Sequence, residues 1–437
     1  MSAACLALAA VLASCWAMTG PEVSATTDTG SDRDGSSVVP TGCEAALLAG
    51  APTPMPGYCS TRAYAAPAPA PTAPEVAWKL KLPFNPVYQA IEIVVDAAGR
   101  AYATFDTNAS DPWVVGDTVA AISPAGELLW VHPFGSQAVS QLFLAADGAL
   151  RMRLSGDPPV LAVMDPLGNV THSTDLPQGQ AQGFAVGRDG SLYTALWGDD
   201  DTTSVVKLSL QGAVLWTSES FARCSIGSSP VALAPGDRAV IAVSASSNGD
   251  CTDASSMVTR VVTIDASGAT AWKRDLVGSL VHDPAVAPDG TILITHLAST
   301  DTTSNVRLAA IDASGTTLWD TDLEADAINV WGSPVVIAKD GTTVVRTNAG
   351  IVAVGSTGKL AWKAFEDPMY SYDAVVDSEG LLVVSDGETS GIDCATGRPL
   401  WSLQGILTPF AIGPSGSIVG TLSPGGGEFA MFLAQNP

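Results

Sequence analysis

Three observations predict that this chain of 437 residues is all-β and folds as an eight-bladed β-propeller. A Trp returns at intervals of 39–56 residues, at 78, 130, 216, 272, 319, 362 and 401, with His172 in the same place between Trp130 and Trp216. Each interval repeats one grammar of short apolar runs separated by Gly turns. No stretch after residue 75 shows a helical period. Periods of this length indicate blades or solenoid repeats, and four antiparallel strands per repeat without helices indicate blades.

The elements follow in chain order. Residues 1–15, MSAACLALAAVLASC, hold an apolar run too short to cross a bilayer but suited to the core of a signal peptide. The run ends in Leu12-Ala13-Ser14-Cys15. This is similar to the bacterial lipobox, in which the Cys receives lipid, and it implies lipidation at Cys15. No Lys or Arg precedes the run, which departs from that pattern. Residues 16–74 shift to Ser, Thr, Ala, Pro and Asp, and the Pro-Ala alternation of residues 63–75 predicts an extended, stiff spacer. The whole of 16–74 reads as a tether. Cys43 and Cys59 bracket a short Pro-rich loop within it and are expected to pair.

From residue 75 the repeats begin. A run such as SPVVIA (333–338) leads to an Asp-Gly turn, at 147–148, 189–190, 289–290 and 340–341. Asp-Gly between apolar runs is a hairpin signal because the turn needs positive φ. A second strand, a polar loop, a third strand, another Gly turn and the Trp strand complete the unit. Seven complete units separate Trp78 from Trp401. The chain then supplies three more strands without a Trp, and residues 75–82 are a Trp strand with no blade before it. The two ends should complete one blade and remove two bare sheet edges. The domain is therefore 75–437, with eight blades and seven as the alternative count.

The register Asp265-Gly268-Trp272, Asp312-Gly315-Trp319 and Asp393-Gly397-Trp401 resembles the tryptophan-docking motif of the pyrroloquinoline-quinone-type β-propellers. The resemblance covers about residues 75–437. It implies that the Trp rings wedge between neighbouring blades and that the repeated Asp and Gly are turn residues. In architecture the chain also resembles the lipid-anchored scaffold propellers of outer-membrane β-barrel assembly, although the tether and the acidity depart from that pattern. The fold alone hosts dehydrogenases, scaffolds and binding modules.

In such a blade the first and third turns lie on one face of the ring and are tight here. The other face carries every long loop, and function on a rigid scaffold sits in loops. Aromatics outside the docking set gather there. Trp331, Tyr370, Tyr372, Trp197, Trp113 and Phe134 form the candidate binding face, with packing beneath their own loops as the competing role. Cys224 and Cys251 fall beside one blade on this face and are the second expected pair, which leaves Cys394 over. The loop acids Asp199, Asp200, Asp201, Asp253 and Asp301 could hold Ca²⁺, but no EF-hand spacing is present and solvated acids are the commoner case.

The formal net charge of −24 argues against nucleic acid and anionic lipid as partners. A quinone-dependent dehydrogenase would need the adjacent Cys-Cys pair that the family resemblance implies, and the chain has none. No G-x-S-x-G or H-E-x-x-H occurs, and His282-Asp283 does not by itself make a dyad. The reading is a non-enzymatic binding or scaffold propeller, with a quinone-dependent dehydrogenase or another propeller enzyme such as a lyase as the alternative. No cofactor is expected, neither Ca²⁺ nor pyrroloquinoline quinone. The expected partner is an envelope or extracellular protein or glycan. The chain should be exported, on the outer membrane or cell surface or else periplasmic or secreted, held to a membrane only by lipid, and monomeric.

Overall fold

The alternation of apolar runs and Gly turns folds as read, into eight antiparallel sheets of a computed structural model. The structure describes residues 51, 53, 55, 59–84, 92–107, 116–198, 200–224, 229–280, 283–299, 304–326, 335–347, 350–364, 374–385, 388–404, 407–422 and 430–436. Blades 1 to 7 span 93–133, 139–175, 180–217, 232–277, 279–326, 336–364 and 374–404. Blade 8 spans 407–435 and is completed by Glu75–Lys81, which pairs antiparallel with Ala430–Gln435. The eight-blade count and the closure by an N-terminal strand are both observed. We letter the strands of each blade a to d, from the inside of the ring outward.

Strands b and c are covered by the neighbouring blades on both faces, so they read as unbroken apolar runs. Ala101–Phe105 is buried at every position, and Arg238–Ser246 is buried at all but its two ends. The d strands are covered on one face and alternate, as in Thr270–Val277. Turns a–b and c–d close on glycines with positive φ, for example Gly290 at 87° and Gly315 at 88°.

A bulge interrupts each c–d hairpin of blades 1 to 7 just after the turn. Ile311 pairs with Thr317 and Ala310 with Trp319, so Leu318 is skipped. The bulge turns the skipped residue outward and the Trp toward the next blade. Leu129, Leu215, Leu318 and Leu400 are four of the seven skipped residues, which explains why these Leu stand exposed on the outer rim.

Each docking Trp lies against the c–d turn of the following blade. A methyl group on Gly126, Gly168, Gly268, Gly315, Gly358 or Gly397 would sit within 3 Å of the ring of Trp78, Trp130, Trp216, Trp272, Trp319 or Trp362. The same six indoles donate Nε1–H to a carbonyl of that turn, as Trp319 does to Ser356 at 3.0 Å. Two anchors do not dock. His172 bonds Thr174 through Nε2, and it is Thr174 that meets Gly212. Trp401 faces blade 8, which has no c–d turn because the two chain ends form those strands. Its ring folds back over Gly391 of its own blade, and its Nε1 finds no acceptor among the described residues.

The tether needs correction where it is described. The described residues between Ala51 and the closing strand do not extend into solvent as a spacer. Met55, Cys59, Ala63, Ala66 and Ala70 are buried; of these, Met55, Ala63, Ala66 and Ala70 pack into the clusters between blades 2 and 3, 5 and 6, and 7 and 8. Pro-rich composition predicts a backbone without internal hydrogen bonds. It does not distinguish water from a ring of inner strands as the partner of that backbone. Residues 1–50, with Cys15 and Cys43, lie outside the described residues.

Candidate functional site

The long-loop face is built highest over blades 3 to 5. Strands b and c of blades 4 and 5 run eight or nine residues, against five in blade 1. Trp197 ends strand b of blade 3 at the root of this wall and is half-buried. The Arg223 guanidinium lies 4.7 Å from the centre of its ring. Arg223 is fixed from two sides: its N–H donates to Asp201 O at 2.9 Å, and its guanidinium lies 3.8 Å from the Asp201 carboxylate. A planar cation stacked on an indole and backed by a carboxylate is a rigid contact feature.

The next residue, Cys224, is bonded to Cys251. The disulfide ties the connection entering blade 4 to that blade's own b–c loop, and Cys224 N–H also donates to Ser244 O at 2.8 Å. The loop beyond closes on itself. Asp250 accepts from the Thr252 hydroxyl at 2.7 Å and Asp253 from the Ser255 hydroxyl at 2.6 Å. These hydroxyl bonds hold both carboxyls below the usual range. Asp200 likewise takes the Thr202 hydroxyl at 2.6 Å. Asp200, Asp250 and Asp253 therefore serve as turn caps, and Asp201 backs Arg223. Among the described residues no group of three or more His, Cys, Asp or Glu could hold a metal, and Asp199 and Asp301 lie outside them.

The remaining candidate aromatics divide. Phe134 packs into the blade 1–blade 2 cluster, 4.7 Å from the His132 ring, so packing accounts for it. Trp113, Trp331, Tyr370 and Tyr372 lie outside the described residues, as does His282. Cys59 is disulfide-bonded. Cys394 is a buried free thiol that burial pushes up to about 12, so it is inert.

Two polar groupings escaped the sequence reading. His296 is buried on strand b of blade 5, with Nδ1 2.8 Å from Val277 O and Nε2 3.2 Å from Asp320, which Arg307 also holds at 2.9 Å. Its partners bond it on both sides, and it serves the wall. The other grouping lies at the inner edge of the ring. Arg62 is buried, with Nε 2.9 Å from Val231 O and Nη2 3.3 Å from Phe184 O. Glu92 and Asp283 both feel its charge, although burial dominates and raises both carboxyls. A signal for Arg62 existed: it is the only Lys or Arg between Arg33 and Lys79, in a run of small residues.

With this geometry in hand, the chain compares with known proteins as follows. A PQQ-repeat family model, that of outer membrane protein assembly factor BamB, matches residues 303–434. That stretch holds blades 6 and 7, most of blade 8 and the outer half of blade 5. No curated protein matches the chain in sequence. BamB from Moraxella catarrhalis is 14% identical, with a TM-score of 0.53 over 83% of this chain and 98% of that one. The quinohemoprotein alcohol dehydrogenase of Comamonas testosteroni is 9% identical, with a TM-score of 0.59 over 87% of this chain and 80% of that one. The Dos1 propeller is 13% identical, with a TM-score of 0.51 over 83% and 94%. An assembly factor and a dehydrogenase are thus alike in fold to this chain, which leaves function to the site. Six docked indoles and the repeated bulge make the chain a tryptophan-docked β-propeller, and residues 303–434 match the PQQ-repeat family model.

Proposed function

We propose that the chain is a non-enzymatic binding propeller of the cell envelope, lipid-anchored through Cys15, that engages a protein or glycan partner through its long-loop face. The observation that carries this is the Trp197–Arg223–Asp201 stack braced by Cys224–Cys251. Trp and Arg held rigid at the edge of a raised wall give contact area at little entropic cost. The match to the BamB repeats supports the envelope setting. The dehydrogenase reading draws on fold alone. A stacked quinone with its Ca²⁺ would need an adjacent Cys-Cys pair and converging carboxylates. The chain has no such pair, and of its described loop acids Asp200, Asp250 and Asp253 are taken up as caps and Asp201 by Arg223.

The test uses the full chain. Immobilised wild type, Trp197→Ser with Arg223→Ser, and Trp331→Ser with Tyr372→Ser are compared for retention of envelope proteins and glycans and for melting temperature. Retention lost at unchanged melting supports the face and says which half of it works. Retention that survives both pairs places the working surface elsewhere. Separately, labelling with a lipid precursor should mark wild type and leave Cys15→Ala unmarked. An unmarked wild type would end the lipid-anchor part of the reading.

A further inference from the structure

The eight a strands share one equivalent residue at or next to their ends. Val95, Leu144, Val186, Leu233, Val286, Ile337, Val376 and Ile412 each pair with the residue six further on, across the a–b turn. These residues lie on the innermost strand of each sheet. Their outward peptide groups form the innermost edge of every sheet, and buried edges need partners.

In seven of the eight blades that partner is the segment before the closing strand. Val95 N–H donates to Thr53 O at 2.8 Å, Leu233 to Ser60 O at 2.7 Å, Val286 to Thr61 O at 2.9 Å, and Ile337 and Val376 to Ala63 O and Tyr64 O at 3.0 Å each. Val186 exchanges two bonds with the Ser60 hydroxyl, at 2.7 and 2.8 Å, and Ile412 O accepts from Thr53 Oγ1 at 2.8 Å. Ala66 N–H returns a bond to Val376 O at 2.8 Å. Residues 60 to 64 thus serve blades 3 to 7 in order, roughly one residue per blade. That pace is far too short for a strand, and it is achieved by turning. Arg62 and Tyr64 stand at φ of 54° and 49°, so successive carbonyls fan outward to successive blades. Non-Gly residues hold such φ values only when their surroundings impose them.

The one charged side chain in this arc is read by the same ring. Arg62 bonds Phe184 O and Val231 O, each two residues ahead of the equivalent position in blades 3 and 4. Three residues ahead of it stand Glu92 in blade 1 and Asp283 in blade 5, on opposite sides of the ring, and both feel the Arg62 charge. Gly183 is shaped to the guanidinium, since a methyl group there would lie 2.5 Å from Nη2.

We propose that the inner edge of the ring is a peptide-binding site for a turning segment with one central Arg, occupied in cis by residues 53 and 60–66. Its recognition is that of strand-edge capture, with main-chain bonds supplying affinity and the Arg supplying register. The blades close around their own ligand.

The test cuts the ligand free after folding, so that no variant has to fold without it. A specific protease sequence is inserted between the exposed Thr72 and Ala73 of the full chain, which is then cleaved. The N-terminal fragment should co-elute with the ring on size exclusion. A labelled synthetic peptide of residues 51–72, carrying Cys59→Ser, should exchange into the cleaved ring and saturate. The same peptide with Arg62→Ala should exchange at least tenfold more weakly, as should the wild-type peptide into a Gly183→Ala ring. Loss of the fragment on cleavage, whatever the ring then does, overturns the proposal. So does equal exchange of the Arg62→Ala peptide. Displacement of the fragment by an unrelated Arg-free peptide would equally sink it.

Discussion

The contact between Trp319 and Gly358 lends itself to a double-mutant cycle, because each side has a separable cost. The indole is half-buried and donates to Ser356 O at 3.0 Å. Half of a Trp surface is about 100 Å², worth about 2.5 kcal/mol, and the hydrogen bond adds about 1 kcal/mol. Trp319→Ala should therefore cost about 3.5 kcal/mol, near the lower end for truncating a large aromatic. Gly358 has φ of 81°, and its added methyl would sit 2.7 Å from the ring. The left-handed backbone costs a non-Gly residue about 1–2 kcal/mol. Displacing the indole forfeits a good part of its docking, so Gly358→Ala should cost about 3.5 kcal/mol in all. In the Trp319→Ala background the methyl meets empty space and only the backbone cost remains, so the pair should couple by about 2 kcal/mol. Urea unfolding followed by far-ultraviolet circular dichroism measures all four corners without relying on Trp emission. Costs that add to within about 0.5 kcal/mol would refute the docking account. A control sits two blades on. Trp319→Phe should lose about 1 kcal/mol for its hydrogen bond, and Trp401→Phe, whose Nε1 has no acceptor among the described residues, should lose none of that.

Two further outcomes follow from the ring's interior and its closure. Burial raises the Asp283 carboxyl above its ordinary value, against the opposing charge of Arg62. Between the ordinary and the raised value the native state holds a proton that the unfolded state has lost, so stability falls as pH rises through that window. Asp283→Asn should therefore melt higher than wild type at pH 7 and like wild type at pH 3, read by calorimetry; a lower melting point at pH 7 would show that the charge on Asp283 is needed by Arg62. Deleting Glu75–Lys81 removes the d strand of blade 8 and the docking of Trp78 on Gly126, so it should cost about 3 kcal/mol or more by urea unfolding; wild-type stability would refute the closure.

How much of this was legible in the sequence depends on whether a feature repeats. The blade count, the closing strand and the docking anchors could be read because each is a period, and the ring enforces the period on every blade. The bulge that skips Leu318 is periodic too, and it underlies the fixed step from Gly to Trp. Yet its consequence, a rim of exposed Leu, contradicts simple alternation and needed the register. The failure of Trp401 to dock was implicit in the closure itself, since a blade made from both chain ends has no c–d turn to offer. The binding face was legible only as a face. Trp197 gained meaning once Arg223 was found over it, and Phe134 lost it once His132 and the blade 1–blade 2 cluster were found around it. Residues 51–74 were misread because composition reports what a backbone lacks internally. Their partners are spread over seven blades, at separations of up to 359 residues for Thr53 and Ile412, which no local pattern records.

That segment and the missing docks bear on one another. The junctions without a docked indole are blade 2 with blade 3, where His172 stands in the Trp place, and blade 7 with blade 8. Met55 is buried in the cluster between blades 2 and 3, and Ala66 and Ala70 in the cluster between blades 7 and 8. Both weak junctions are thus filled from inside the ring. Blade 8 cannot regain a dock, but blade 3 can. Its turn glycine, Gly212, has φ of 92°, like the docked glycines, and the three atoms nearest a methyl there belong to Thr174 and Leu161. Thr174 is no obstacle in principle, since Thr321, at the same step beyond Trp319, donates to Gly358 O at 2.5 Å beside a docked indole. In five of the six docks the acceptor is the carbonyl two residues before the turn glycine, which in blade 3 is Leu210 O. His172→Trp should therefore dock, and because His172 is exposed it gives up little of its own. The expected gain is about 1–2 kcal/mol by urea unfolding, from the new hydrogen bond and partial burial of the ring. The sharper expectation concerns Met55. Met55→Ala should cost about 2–4 kcal/mol in the wild type and measurably less in the His172→Trp background, where the new indole docks. If the Met55→Ala cost is the same in both backgrounds, the inner segment and the docks support the ring independently. If it shrinks, the segment stands in for the anchor that blade 2 lacks.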